Sequence, residues 1–219
     1  MNFVLYSCFA LPPGAALYTL YFILLKAGLH RESLIAKCAV TFLSVASAGF
    51  AVCLKGGNPL AEPAFWFFVL CTGADALLGI YFIPGMLLFG GAHFCLIVWM
   101  VEMVSGGGNQ MVWTSVVVWL PIYTFTLILF RKELQKLGRR RLPFCLYSAL
   151  LSASFALGLT VPFGAGETYL TLALGILCFF VSDMMVGKAT LSSLPRWCQK
   201  PTMGLYWGGV YLISAALWI

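Results

Sequence analysis

Leu170-Thr-Leu-Ala-Leu-Gly175-Ile-Leu-Cys-Phe179-Phe-Val-Ser182-Asp183-Met-Met-Val-Gly187 is a run of eighteen residues with one charge, set near its end. A stretch of this length without period-2 alternation crosses a hydrocarbon core as a helix rather than as a barrel strand. The rest of the chain is of the same kind. Of 219 residues, 62% are apolar and 9% charged, with a mean hydropathy of +0.96. A soluble domain this small needs far more polar surface. In lipid every backbone polar group at depth must be satisfied internally, which selects helices. The expected fold class is therefore all-α, a polytopic transmembrane bundle, with residues 1–219 forming one transmembrane domain.

Polar, Pro and Gly punctuation divides the chain into eight apolar segments, about 3–25, 34–54, 64–82, 84–104, 112–130, 143–162, 167–187 and 203–219. The break between the third and fourth rests on Pro84-Gly85, read as a tight turn. The first segment lacks a basic leader and is too long for a cleaved signal peptide, so it reads as a retained span. Charge supports the count. With eight spans and both termini on the non-cytoplasmic side, the loops after spans one, three, five and seven face the cytoplasm. They hold Lys26, Arg31 and Lys37; Arg131, Lys132, Lys136, Arg139, Arg140 and Arg141; and Lys188, Arg196 and Lys200. That is twelve of the thirteen basic residues, with Lys55 alone on the other side, as the positive-inside rule requires. The run 131–141 therefore reads as topology and anionic-headgroup contact, and no nucleic-acid partner is expected. The chain is expected in a plasma or inner membrane if bacterial, or the endoplasmic reticulum if eukaryotic; its oligomeric state is open.

Eight cysteines include no C-x-x-C pair, and two histidines, His30 and His93, fall short of a three-histidine zinc site. No metal or cofactor is expected. Of seven acidic residues, Glu32, Glu62, Glu102, Glu133 and Glu167 sit in loops or at segment ends. Asp75 and Asp183 do not. A carboxylate at depth costs at least about 2.5–3.5 kcal/mol, so such groups face a bundle interior or a wet cavity. Counted along spans of the same direction, both fall about 7–14 Å from the cytoplasmic end and can share one site. Each has a glycine four residues on (Gly79, Gly187) and a neighbouring hydroxyl (Thr72, Ser182). Gly175, Phe179, Asp183 and Gly187 form one stripe that permits close helix approach. Phe89 and His93 share a face of the fourth segment. Tyr123, after Pro121, and Tyr206 complete the aromatic contacts; residues of this type at span ends also serve as interfacial anchors.

These segments resemble the YhhN-like lysoplasmalogenase family of eight-span membrane proteins. The resemblance is carried by Gly73-Ala-Asp75, by Gly85-x3-Phe89-x3-His93, by Gly175-x3-Phe179-x2-Ser182-Asp183, and by Tyr206-Trp207-x2-Val210-x-Leu212-Ile213. Here an alanine intervenes before Asp75, Val210 replaces the usual glutamine, and Leu96 stands where a tyrosine often follows the histidine. The resemblance implies hydrolysis of the vinyl ether bond of a lysophospholipid, lysoplasmalogen, to a fatty aldehyde and a glycerophospho-headgroup. The chemistry matches glycoside hydrolysis: one carboxylic acid donates a proton and one carboxylate steadies positive charge or activates water. Asp75 and Asp183 suit these roles in either order, with His93 orienting a carboxylate or the water. Lys188, Arg196 and Lys200 at the rim suit the substrate phosphate. A transporter or lipid-binding protein using the aspartates as a proton or cation relay answers to the same residues.

Overall fold

The computed structural model describes residues 3–54, 61–105, 109–138, 141–192 and 195–219. Lys55, Arg139 and Arg140 lie outside them, as does the side chain of Arg196. The described residues contain helix and no strand: α1 (Phe3–Lys26), α2 (His30–Leu54), α3 (Glu62–Leu78), α4 (Phe82–Ser105), α5 (Asn109–Leu129), α6 (Arg131–Lys136), α7 (Arg141–Ala165), α8 (Leu170–Ser192) and α9 (Gln199–Ala215). The eight long helices fall on the eight apolar segments. Six of them are long and apolar enough to cross a membrane. The other two, α3 and α9, have 17 residues each, about 25 Å against a hydrocarbon core of roughly 30 Å. Large apolar side chains point outward from many faces, Phe163 at 80% and Val117 at 73% exposure among them. That is the surface of a protein solvated by lipid.

Three boundaries differ from the sequence expectation. The turn between α3 and α4 lies at Gly79–Tyr81, where the Ile80 and Tyr81 amides both donate to Leu77 O, and not at Pro84-Gly85. Pro84 sits in the first turn of α4, where a missing N–H costs nothing. Gly85 is buried at the α3–α4 crossing, where a Cβ would stand 2.7 Å from Leu78 N. The basic stretch after α5 carries a helix, α6, whose Leu134 packs with Met86, Phe130 and Phe144 in a small second core. Helices α2 and α8 also reach further than their apolar segments, so Arg31 and Lys188 are helical residues and not loop residues, and Lys37, counted with the first loop, lies two turns inside α2.

Short connections make sequential helices antiparallel neighbours. Gly28 closes α1: at φ +78° its amide bonds Leu25 O while the Leu29 amide bonds Leu24 O, a Schellman cap. Contacts then run α2 to α3, α3 to α4, α4 to α7, α7 to α8, α8 to α9, and α9 back to α2. These six helices close a ring, with α1 packed on α2 and α5 packed on α7. Another close seam joins α8 and α9. A Cβ on Gly209 would lie 2.8 Å from Gly175 O, and one on Gly175 would lie 2.9 Å from Ile213 N. The small-residue stripe read on α8 is thus the place where two backbones meet.

A side chain at that seam must force the helices apart. Gly209→Leu is expected to lower stability by about 1–3 kcal/mol, measured as thermal unfolding in detergent. Gly208→Ala, which meets nothing within 4 Å, is expected to be neutral or slightly stabilising.

Candidate functional site

Each of the six ring helices turns polar or aromatic side chains inward. On α2, Lys37 and Thr41 are one turn apart and share a face. Asp75 stands on α3, Phe89 and His93 on α4, Tyr147 and Ser154 on α7, Phe179 and Asp183 on α8, and Tyr206 on α9. Asp75 and Asp183 both line one cavity of about 310 Å³, together with Tyr21, Lys37, Phe89, Tyr147 and Tyr206. Gly79 and Gly187, the glycines one turn beyond each aspartate, line it too. The cavity reaches exposed residues, His30 and Thr190, at the end of the bundle where the basic residues gather.

The two carboxylates have different company. Asp75 is 1% exposed. Its Oδ1 lies 2.9 Å from the Lys37 ammonium. Its Oδ2 accepts hydrogen bonds from the Thr41 hydroxyl and the Tyr206 phenol, each at 2.7 Å. One cation and two hydroxyls from two other helices answer a group that can only accept. Asp183 Oδ2 accepts a hydrogen bond from the Tyr147 phenol and lies 3.5 Å from His93 Nε2. Behind it, His93 Nδ1 is 2.9 Å from Ser154 Oγ, and Ser154 itself donates to Leu151 O. With the serine proton spent on that carbonyl, Nδ1 is the ring nitrogen that carries a proton, and Nε2 is left facing Asp183. Nε2 is buried without a hydrogen-bond partner. No contact to a described residue reaches Asp183 Oδ1.

Aromatic rings stand between the two carboxylates. Phe179 meets Tyr206 at 5.3 Å, His93 at 5.2 Å and Phe67 at 5.9 Å between centroids, and Phe89 touches both Phe179 and Tyr206. Phe179 is 1% exposed, a wall rather than a contact in the open cavity. The remaining expected residues lie elsewhere. Thr72 bonds its own helix at Phe68 O. Ser182 donates to Thr202 O and ties α8 to α9. Tyr123 stacks on Trp119 and reaches Cys145 O, in the seam between α5 and α7. Lys188 is held at 2.5 Å by Glu133, a residue expected in a loop but buried on α6.

Sequence reasoning did not single out Lys37, Thr41, Tyr147 or Ser154. The signal for the first two was a lysine and a threonine one turn apart inside an apolar helix. For the others it was a tyrosine and a serine seven residues apart on one face. Among the described residues no three His, Cys, Asp or Glu side chains converge as a metal-binding group.

The YhhN family model matches residues 34–217. The chain belongs to the YhhN family. The match spans both aspartates and the residues bonded to them, from Lys37 to Tyr206. Neither the curated proteins nor the solved structures yield a match. The departures from the family pattern fall outside the cavity. Leu96 is fully buried in the core, and Val210 lines a separate cleft between α1, α2 and α9.

The Lys37–Asp75 pair gives a double-mutant test. Lys37→Met strands a buried carboxylate and is expected to cost about 3–5 kcal/mol, most of it recovered in Lys37→Met/Asp75→Asn; thermal unfolding of the four proteins measures it. The second pair gives a pH test. Hydrogen bonding to the Lys188 ammonium holds the Glu133 carboxyl below its ordinary value of 4.5. A depressed native value makes the pair's contribution complete above pH 4.5 and lost as pH falls through that lower value. Acid is therefore expected to destabilise the wild type more than Glu133→Gln, which has already lost the pair.

Proposed function

We propose that the protein is an intramembrane hydrolase that cleaves the vinyl ether of a lysophospholipid, with Asp183 as proton donor and Asp75 as the carboxylate that holds water. The observation that carries this reading is the shared cavity: two carboxylates open on it, Asp75 buried and answered by three donors, Asp183 part-buried and answered by one. Membership of the YhhN family supports it, and so does the membrane setting, in which a lipid reaches the site without leaving the bilayer. The reading places the basic end of the bundle at the cytoplasm, with eight spans in all.

The roles follow from the hydrogen-bond inventory. Asp75, answered by Lys37, Thr41 and Tyr206, is served as an anion. Asp183 has one hydrogen-bond donor, Tyr147, on Oδ2, faces His93 Nε2 across 3.5 Å, and leaves Oδ1 for the substrate. A proton on Oδ1 passes to the vinyl carbon β to the ether oxygen, and the former double-bond electrons form the new C–H bond. The oxocarbenium ion that results is captured by water, whose spare proton returns to Asp183 directly or by way of His93 Nε2. The hemiacetal then collapses to a fatty aldehyde and the glycerol alcohol, and one water is consumed overall. Carbocation capture asks little of a base, so a carboxylate already tied to an ammonium is basic enough to orient the water. Charge changes little along this path: the ion pair at Asp75 stays paired while Asp183 and the substrate exchange one proton. No metal enters any step.

Purified protein given 1-alkenyl lysophospholipid is expected to release fatty aldehyde. Asp183→Asn, and Asp75→Asn made together with Lys37→Met so that no charge is stranded, are each expected to lower the rate by about 10²–10⁴-fold while keeping the fold, as judged by circular dichroism and thermal midpoint. Full activity in either variant removes that residue from its role. Bound lipid without aldehyde release in the wild type favours a lipid-binding protein.

A further inference from the structure

The site cavity is flanked by two grooves of opposite chemistry. Toward α1 and α9 it shares His30 with a groove of about 730 Å³ that also contains Lys26, Gln199 and Lys200. Lys26, His30 and Lys200 are exposed. No acidic residue is among the described residues that line the groove. Toward α5 and α8 the cavity shares Met184 with a second groove, of about 340 Å³, walled by Phe125, Leu129, Phe180 and Val181. Lys188 contributes to that wall, but its ammonium is engaged by Glu133. Between the two grooves, in the cavity, stand Asp75 and Asp183. A thioether side chain is unbranched and adaptable, so Met184 is a wall that yields.

We infer that one single-chain amphiphile with a phosphate headgroup lies through the cavity, its phosphate on Lys26, His30 and Lys200 and its tail past Met184 in the apolar groove. This rests on the hydrolase reading and adds the orientation and the two recognition ends. An anion belongs at the His30 end, because three basic groups surround an open groove with no carboxylate to answer them. A hydrocarbon chain belongs at the other, whose wall is apolar apart from Lys188, paired with Glu133. A second acyl chain at the glycerol would have to occupy the headgroup side, among Tyr21, Ser33 and Lys37, where it would bury polar groups against hydrocarbon. The arrangement therefore selects one tail.

Binding, which needs no turnover, tests this. The full chain in nanodiscs is titrated with a saturated 1-O-hexadecyl lysophospholipid, which has no vinyl group to cleave, and with 1-O-hexadecylglycerol, which has no phosphate. Lys26→Gln/Lys200→Gln is expected to weaken the phospholipid at least about tenfold and to leave the alkylglycerol within about twofold. Met184→Trp is expected to weaken the hexadecyl lipid more than a butyl analogue with the same headgroup. Inorganic phosphate at millimolar concentration is expected not to displace the lipid; displacement assigns the basic groove to free phosphate and overturns the headgroup assignment. Equal effects on charged and uncharged lipids, or none on either, overturn the phosphate end. Equal effects on long and short tails overturn the apolar end, and retained alkylglycerol binding with an unchanged thermal midpoint shows that the variants fold. Failure to release aldehyde from alkenyl substrate, with these selectivities intact, sinks the hydrolase reading alone.

Discussion

A carboxylate carried into hydrocarbon must bring its own solvation, and Asp75 does so by recruiting the helices around it. Its ammonium comes from α2, one hydroxyl from α2 and the other from α9. The attraction between Lys37 and Asp75 is large because the medium is apolar, and the cost of parting them is large for the same reason. Three helices are thereby fixed in register about one residue. The rest of the ring closes around that fixed point: α4 and α8 bring Phe89 and Phe179 against Tyr206, and α7 brings Tyr147 and Ser154 to the second carboxylate.

The second carboxylate is arranged on the opposite principle. Asp183 is given a phenol, an imidazole nitrogen at 3.5 Å and an open edge, while the far side of the imidazole is held by Ser154, itself bonded to Leu151 O. Equal solvation of both aspartates would make a symmetrical ion-binding cage. Unequal solvation instead separates a group that holds charge from a group that exchanges a proton. The aromatic wall of Phe89, Phe179 and Tyr206 keeps the two environments distinct within one cavity.

Much of this was legible in the chain. The apolar segments located all eight long helices, because lipid leaves helix as the economical way to satisfy a backbone. Asp75 and Asp183 stood out through their cost, and the four-residue spacing of Phe89 with His93 and of Phe179 with Asp183 put each pair on one face. What was hidden was hidden by ambiguity of type. Lys37 counts equally well as a topological charge, and a single sequence does not say which basic residue turns inward. Tyr147 lies near a helix end, where tyrosines also anchor at the interface, and Ser154 is one of several serines on α7. The misplaced turn has a similar cause: Pro-Gly signals a turn in isolation, yet proline is also at home in a first helical turn and glycine at a helix crossing. Only the packing of α3 on α4 decides between those uses.

The contact of Gly175 with Gly209 has a mechanical meaning for the site. Side chains elsewhere in the bundle can change rotamer and let helices slide, but α8 and α9 meet backbone to backbone, with nothing between them to rearrange. Asp183 and Tyr206, carried on these two helices, therefore belong to one rigid plate, and Tyr206 is itself bonded to Asp75. The gap between the two carboxylates is spanned by main chain from Asp183 to Tyr206 and by one phenol hydrogen bond from Tyr206 to Asp75. Any breathing that admits a lipid must come from the helices that meet this plate through side chains alone.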